Sequence, residues 1–389
     1  MKKEKNIKTL LSIVGFFTLA SALSDVFVNI YIWKLKESFM LLTLYMVSGY
    51  IVIPFVFYLA GLWGQKTDRL NIYKLGIYFY ILFYIVVLLL NKDITHPFNL
   101  VLLGLIKGLG MGFYFFGLHI LIFDYTSTEN RDKFYANMSI LSGASALVAP
   151  FAAGYITFSV PDFKGYYIIF IASVIFFLIS SILSSGLKSG PIKTTYKVAS
   201  LIFGGSKQWR GTMWAYFWLA AKDTISLFLV GILVYKSTGS EFSFGKYALI
   251  VSVITICSSY IIGKFSKPHK RASYVLIGSF LYLLATLALM IKIEFSTLLI
   301  YGIIAGVADY LIRIPLSAHA FDTIALDMNA HEKKMEYIVA RDVPIAIGRI
   351  FILGLFVLFI QYFPVGGIKA IMLLITAAPF AIYFSIYKK

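Results

Sequence analysis

A chain of 389 residues that is 60% hydrophobic and 14% charged cannot be an ordinary soluble domain, which averages about 45–50% apolar and about 25% charged. The net charge of +17 does not point to nucleic acid, because the basic residues are dispersed among short loops rather than gathered in one patch. Lysines spaced in this way at membrane borders meet anionic lipid headgroups instead.

The apolar runs recur from end to end. Each is close to the roughly 20 residues that a helix needs to cross a hydrocarbon core of about 30 Å. Twelve spans are predicted: 9–33, 40–63, 73–91, 98–123, 136–158, 165–187, 211–235, 243–263, 272–291, 296–320, 339–361 and 366–386. They are helices because lipid offers backbone polar groups no other partner. At the start, Lys2, Lys3, Lys5 and Lys8 precede an apolar run, and Ala20-Ser21-Ala22 resembles a cleavage site for a secretory leader. The run continues to Trp33, however, and Phe17-Thr18-Leu19-Ala20 is echoed by Phe217-Trp218-Leu219-Ala220. An uncleaved first span is therefore expected. Cys257 is the only cysteine, which excludes an internal disulfide and a cysteine metal cluster.

Between spans 2 and 3 lies the charged turn Gly64-Gln65-Lys66-Thr67-Asp68-Arg69-Leu70-Asn71-Ile72-Tyr73-Lys74. A similar turn, Gly263-Lys264-Phe265-Ser266-Lys267-Pro268-His269-Lys270-Arg271, joins spans 8 and 9. After span 4 the chain reads Asp124 to Tyr135, and after span 10 a related stretch runs from Asp327 to Tyr337. Matching turns in register mark an internal duplication of six spans. Residues 188–210 are the linker between an N-terminal bundle, 1–187, and a C-terminal bundle, 211–389. Within it Val198, Leu201, Ile202 and Trp209 stand among lysines. An amphipathic segment on the membrane surface and a plain connector containing Gly204-Gly205 are both open readings. Lysine and arginine are dense in alternate loops, which places both termini and the linker on the cytoplasmic side.

Twelve spans, a six-plus-six repeat and the Gly64…Asp68-Arg69…Lys74 turn resemble the major facilitator superfamily over the whole chain. Asn71 stands where the family's turn has a second glycine, Tyr73 replaces a basic residue, and the second copy has Lys267 in place of the acid. Ala149-Pro150-Phe151-Ala152-Ala153-Gly154 in span 5 is similar to the Gly-Pro-x-x-Gly-Gly of drug and proton antiporters, which favours export. The resemblance implies an all-α membrane protein of two pseudo-symmetric six-helix bundles that rock around a central site. It also implies a cytoplasmic latch in which Asp68 faces the N-terminus of span 11 and Arg69 pairs with an acid at the end of span 4, the place held by Asp124.

Charges inside spans are the candidates for chemistry, because each costs roughly 2.5–3.5 kcal/mol at a helix centre unless it meets a cavity or a partner. Span 1 carries Asp25 with Asn29 one turn on, span 4 Lys107, span 7 Lys222 and Asp223, span 10 Asp309 and Arg313, and span 11 Arg341, Asp342 and Arg349. In the resembled fold, spans 1, 4, 7 and 10 line the central cavity, so Asp25, Asn29, Lys107, Asp223, Asp309 and Arg313 are its expected substrate and proton groups, joined by Arg349, which lies deep in span 11. Simpler readings stand beside this one. Asp309 and Arg313 neutralise each other at i,i+4, Lys222 snorkels, Arg341 and Asp342 mark a span border, and His119 and its counterpart His319 are structural.

The expectation is a secondary active transporter of the plasma or inner membrane. It moves a small organic solute, is coupled to protons through Asp25 or Asp309, and needs no cofactor or metal. A monomer is expected, in contact with anionic lipids. A lipid-like substrate on the same fold is the alternative. A non-transporting sensor, and a membrane transferase built on Asp322 and Asp327, rank lower, since no second acidic cluster is present to hold Mg²⁺.

Overall fold

The computed structural model describes residues 2–126, 128–187, 189–190, 198–265, 267–326, 333–363 and 366–387, without the side chains of residues 2, 3, 123, 128–132, 334 and 335. Lys188, Lys193, Asp327 and the remainder of the repeated stretch through 332 lie outside it.

The described chain is helical throughout. The first unit holds α1 (Lys2–Leu35), α2 (Phe39–Gly64), α3 (Arg69–Leu90), α4 (Pro97–Tyr125), α5 (Thr128–Ser159) and α6 (Lys164–Ser184). The second holds α7 (Val198–Gly204), α8 (Lys207–Thr238), α9 (Glu241–Phe265), α10 (Arg271–Ile291), α11 (Phe295–Ala325), α12 (Lys334–Tyr362), α13 (Gly367–Leu374) and α14 (Ala377–Tyr387). Twelve helical stretches are long and apolar enough to cross a membrane. The two compact units are Met1–Tyr196 and Lys197–Lys389.

Helix starts follow local chemistry. Ser38 accepts from the Leu41 amide at 3.4 Å, Asp68 from the Leu70 amide at 2.9 Å and Ser206 from the Trp209 amide at 3.1 Å, each filling an orphan donor of the first turn. Helix α8 begins at Lys207 rather than 211, because Ser206 caps it there. The twelfth span is two helices rather than one. Pro379 has no N–H to offer the Ile375 carbonyl, and the Thr376 hydroxyl takes the Leu373 carbonyl at 2.6 Å, so the ladder breaks between α13 and α14.

The same packing scheme recurs in both units. In the first, α4 packs on α2 and α3, while α1 packs on α5 and α6. In the second, α11 packs on α9 and α10, while α8 packs on α12 and α14. Serines on α6 donate across to α1: Ser173 to the Ala20 carbonyl at 3.1 Å and Ser180 to the Ile13 carbonyl at 3.0 Å. In a bilayer such bonds average about 0.6 kcal/mol, so close packing carries most of the association. Small residues permit it. A Cβ on Gly104 would collide with the Tyr45 carbonyl, and one on Gly108 with the Gly49 carbonyl. In the second unit a Cβ on Gly302 would lie 2.7 Å from Val251 Cγ2, and one on Gly306 2.9 Å from Thr255 Cγ2.

Substituting Gly108→Val is expected to destabilise the first unit by about 1–3 kcal/mol through overpacking against backbone. Gly354→Ala, which meets nothing within 4 Å, should leave the melting temperature of the detergent-purified protein unchanged or slightly higher. Equal melting temperatures for Gly108→Val and the parent would contradict this account of the α2–α4 contact.

Candidate functional site

In the first unit the intramembrane charges meet where α1, α3 and α4 converge. Ser24 turns its hydroxyl back to the Ala20 carbonyl at 2.8 Å, and Asp25 follows it on α1. Lys107 of α4 donates to Asp25 Oδ1, and the Tyr84 hydroxyl of α3 donates to the same oxygen at 2.7 Å. No described residue hydrogen-bonds Asp25 Oδ2. The Lys107 side chain is 12% exposed, whereas that of Asp25 is 39% exposed. The ammonium also lies over three rings, with Nζ 4.4 Å from the centroid of Tyr80, 4.8 Å from Phe83 and 5.3 Å from Tyr84. A cation–π contact is worth about 0.5–1 kcal/mol at exposed sites and about 2 when desolvated. One turn on, the Asn29 Oδ1 acceptor is buried with no hydrogen-bond partner among the described residues, as is Ser21 Oγ one turn back.

The second unit closes its charges into a ring. Lys222 of α8 lies 2.8 Å from Asp223 Oδ1 and 2.7 Å from Asp309 Oδ1 of α11. Arg313, one turn on from Asp309, reaches Asp223 Oδ2 at 2.8 Å through Nη2 and Asp309 Oδ2 at 2.9 Å through Nε. Both carboxylates thus bridge both cations, and the four charges cancel. The expectation that Lys222 snorkels is corrected here, since its side chain is 4% exposed and bridges the two carboxylates as a member of the ring. The i,i+4 pairing of Asp309 with Arg313 is present, but as one edge of a larger network. Below it, Ser226, Tyr282 and Tyr301 join their hydroxyls in a triangle, with O···O separations of 2.7, 3.2 and 2.9 Å.

Arg349 stands on a further helix. It lies on α12 with Arg341 and Asp342, and its charge and that of Arg341 both act on Asp342. Arg341 lies over the Tyr216 ring at 5.4 Å, and Asp342 Oδ2 is buried without a hydrogen-bond partner among the described residues.

At the end of the first unit, Arg69 reaches Asp124 at 2.5 Å and the Gly190 carbonyl at 2.5 Å. Ser189 donates to the other Asp124 oxygen at 2.9 Å. Burial pushes the Asp124 carboxyl up from its ordinary range, and Arg69 and Ser189 pull against that rise. Gly64 ends α2 in a buried position, Asp68 caps α3, and the half-buried Lys74 makes no ion pair among the described residues. In the second unit Arg271 reaches Asp322 at 2.5 Å, joining the start of α10 to the end of α11. Asp322 is therefore an ion-pair partner of Arg271, while Asp327, the other acid considered with it, lies outside the described residues. The repeat spacing is the signal in the sequence, for Arg69 and Asp124 are 55 residues apart and Arg271 and Asp322 are 51 apart.

If the ring acts as a unit, Lys222→Met leaves two carboxylates on one guanidinium. Removing one partner of a buried pair typically costs about 3–5 kcal/mol. Asp223→Asn in the same chain restores neutrality, so the double variant should melt higher than the sum of the single losses, with a coupling of about 1–3 kcal/mol. Additive losses would contradict the ring.

The family model described as Major Facilitator Superfamily matches residues 7–330. The uncharacterised protein YqgE of Bacillus subtilis (strain 168) is 32% identical over 349 residues, which cover 89% of this chain and 80% of that protein. Among solved structures, a D-xylose-proton symporter superposes with a TM-score of 0.74 at 14% identity, covering 99% of this chain and 97% of the other. A bacterial homologue of the iron transporter ferroportin, in its outward-facing state, gives 0.70 at 13% identity and covers 98% of both chains. Those two likenesses speak to the fold alone. Together with the twelve spans and the repeated six-helix packing, the family match makes this chain a multi-pass membrane protein of the major facilitator superfamily, a secondary transporter and not an enzyme.

Proposed function

We propose that the protein moves a small organic solute by alternating access, coupled to protons, with export the favoured direction and Asp25 as the residue that carries the coupling proton. The observation behind this is an asymmetry between the units. Asp223 and Asp309 each bridge two cations, and protonating either would strand a positive charge in a closed network. Asp25 has one charged partner, an oxygen without a described donor, and a partly exposed side chain. A carboxylate so placed can gain and lose a proton as its surroundings change from wet to dry. Asn29 extends the polar face of α1 beside it. Lys107 supplies the counter-charge, the Asp223–Asp309–Arg313 ring is a fixed polar element, and Arg349 is a candidate contact for the solute. Of the two acids expected to couple, Asp25 is favoured over Asp309.

The turn Gly64, Asp68, Arg69, Lys74 together with Asp124 is proposed as a cytoplasmic latch. The Arg69–Asp124 pair, with Ser189 and the Gly190 carbonyl around it, is the contact that would open in each cycle. The lysine distribution favours both termini in the cytoplasm of a cell whose plasma or inner membrane holds the protein as a monomer. The acids and bases available admit both an anionic and a cationic solute.

A thermal-shift screen of the purified protein with anionic metabolites and lipophilic cations should find a ligand that raises the melting temperature, since binding to the folded state stabilises it. In proteoliposomes with a trapped pH dye, that ligand should move protons in the wild type. Asp25→Asn, folded and still stabilised by the ligand, should lose the coupled proton signal at least tenfold. Undiminished coupled proton movement in Asp25→Asn would refute the assignment.

A further inference from the structure

Two lysines inside the helix bundles, Lys222 buried and Lys107 largely so, occupy comparable surroundings in the two units, and they are held by different means. Lys222 has two carboxylates and one ring, Tyr282 at 5.3 Å. Lys107 has one carboxylate and three rings, Tyr80, Phe83 and Tyr84. Tyr80 and Tyr282 fall at matching places in the repeat, on α3 and α10, each facing its unit's lysine. Where the second unit spends a second acid, the first presents two further aromatic faces. Those faces are held firmly. Tyr80 packs against Phe17 at 4.8 Å and Phe177 at 5.2 Å, and Phe83 packs against Tyr84 at 4.9 Å.

The geometry points to a role for these rings. We propose that Tyr80, Phe83 and Tyr84 form an aromatic cage that stands in for a second carboxylate and keeps Lys107 an ammonium ion, so that Asp25 alone takes up and releases the proton. The inference rests on the reading of Asp25 as the coupling group. In the loaded state a hydronium ion gives its proton to Asp25 Oδ2, one of its O–H bonds breaking as the carboxylic O–H forms and a water molecule leaving, and the pair carries one net positive charge. That charge is held by the negative faces of the rings rather than by an anion. In the unloaded state Lys107 returns to the carboxylate. The described titratable groups facing Asp25 are Lys107 from α4, Tyr84 from α3 and Tyr45 from α2. Helix α6 presents Phe170, Ser173 and Phe177 at this level, and Ser173 is committed to the Ala20 carbonyl. Tyr80, Phe83 and Tyr84 are positioning residues. They tune the proton affinity of Asp25 through the lysine, and Tyr84 also through its own hydroxyl.

Infrared difference spectroscopy across a pH titration of the detergent-purified protein tests this without a known solute. The carboxylic-acid stretch of Asp25, identified by its loss in Asp25→Asn, should appear as pH falls. Tyr80→Leu and Phe83→Leu should each move its midpoint down by about one pH unit, because the uncaged ammonium resists losing its anion. Tyr80→Phe keeps the ring and should keep the midpoint. Tyr84→Phe keeps its ring but removes a donor to the carboxylate, so it should move the midpoint up. Pentafluorophenylalanine in place of Phe83 preserves volume while reversing the ring's face, and should act like Phe83→Leu even if the leucine variants fold poorly. An Asp25 band that titrates but stays fixed in the Leu and fluorinated variants would overturn the cage and leave the coupling role of Asp25 standing. A band independent of pH, as from a neutral pair, would also overturn the cage. No Asp25 band at any pH would overturn both.

Discussion

A charge inside a membrane has no water to lean on, so it must be answered by another group within a few ångströms. The buried charges along α1, α4, α8 and α11 in this protein are placed by that demand. In the second unit the answer is complete, with two acids and two bases sharing all four carboxylate oxygens. Such a ring is not a gain over apolar packing in itself. What it supplies is fixity, because no member can move or titrate without stranding the others. In the first unit the answer is half electrostatic and half aromatic. On the proposed function, a pair with one free oxygen and a cushioned cation is the one that changes its charge, while the ring holds.

The backbone prepares both arrangements. Gly104 and Gly108 bring α4 against α2 at the level of Lys107, and Gly302 and Gly306 bring α11 against α9 just before Asp309. The charges stand close to these glycines on the same helices, Lys107 one turn on from Gly104 and Asp309 one turn on from Gly306. The ends of the same helix pairs are tied by Arg69–Asp124 and Arg271–Asp322. The duplication is thus visible as shared mechanics: a glycine-tight crossing, a charge one turn on from it, and an ion pair at the end. The units differ at the second acid, which Lys222 has and Lys107 lacks.

Much of this is legible in the residues. Hydropathy locates the spans, and the turns at 64–74 and 263–271 expose the repeat. Asp25 and Lys107 stand out because each lacks a charge at helical spacing, which leaves a partner on another helix as one of few options. Lys222 is ambiguous in the sequence because a lysine next to an aspartate in a long span can equally reach for the interface. Only the rotation of α8 against α11 decides that it faces inward. The cage is invisible for a different reason. With 27 tyrosines and 35 phenylalanines in the chain, no ring near Lys107 is unusual as a residue type, and its meaning lies in the direction it faces. The Arg271–Asp322 tie is recoverable from the repeat offset, but the loss of the acid at Lys267 disguises it. The split between α13 and α14 needs the positions of Pro379 and Thr376 to be read together, and neither breaks a membrane helix alone.

The central claim is that one unit titrates and the other does not. Counting protons tests it most directly: a potentiometric titration of the purified protein, compared with Asp25→Asn and with Asp309→Asn over the pH range in which all three stay folded. The account predicts that the Asp25 variant binds one proton fewer than the parent, while the Asp309 variant matches the parent. A full proton lost in Asp309→Asn, with none lost in Asp25→Asn, would place the switch in the ring and contradict it.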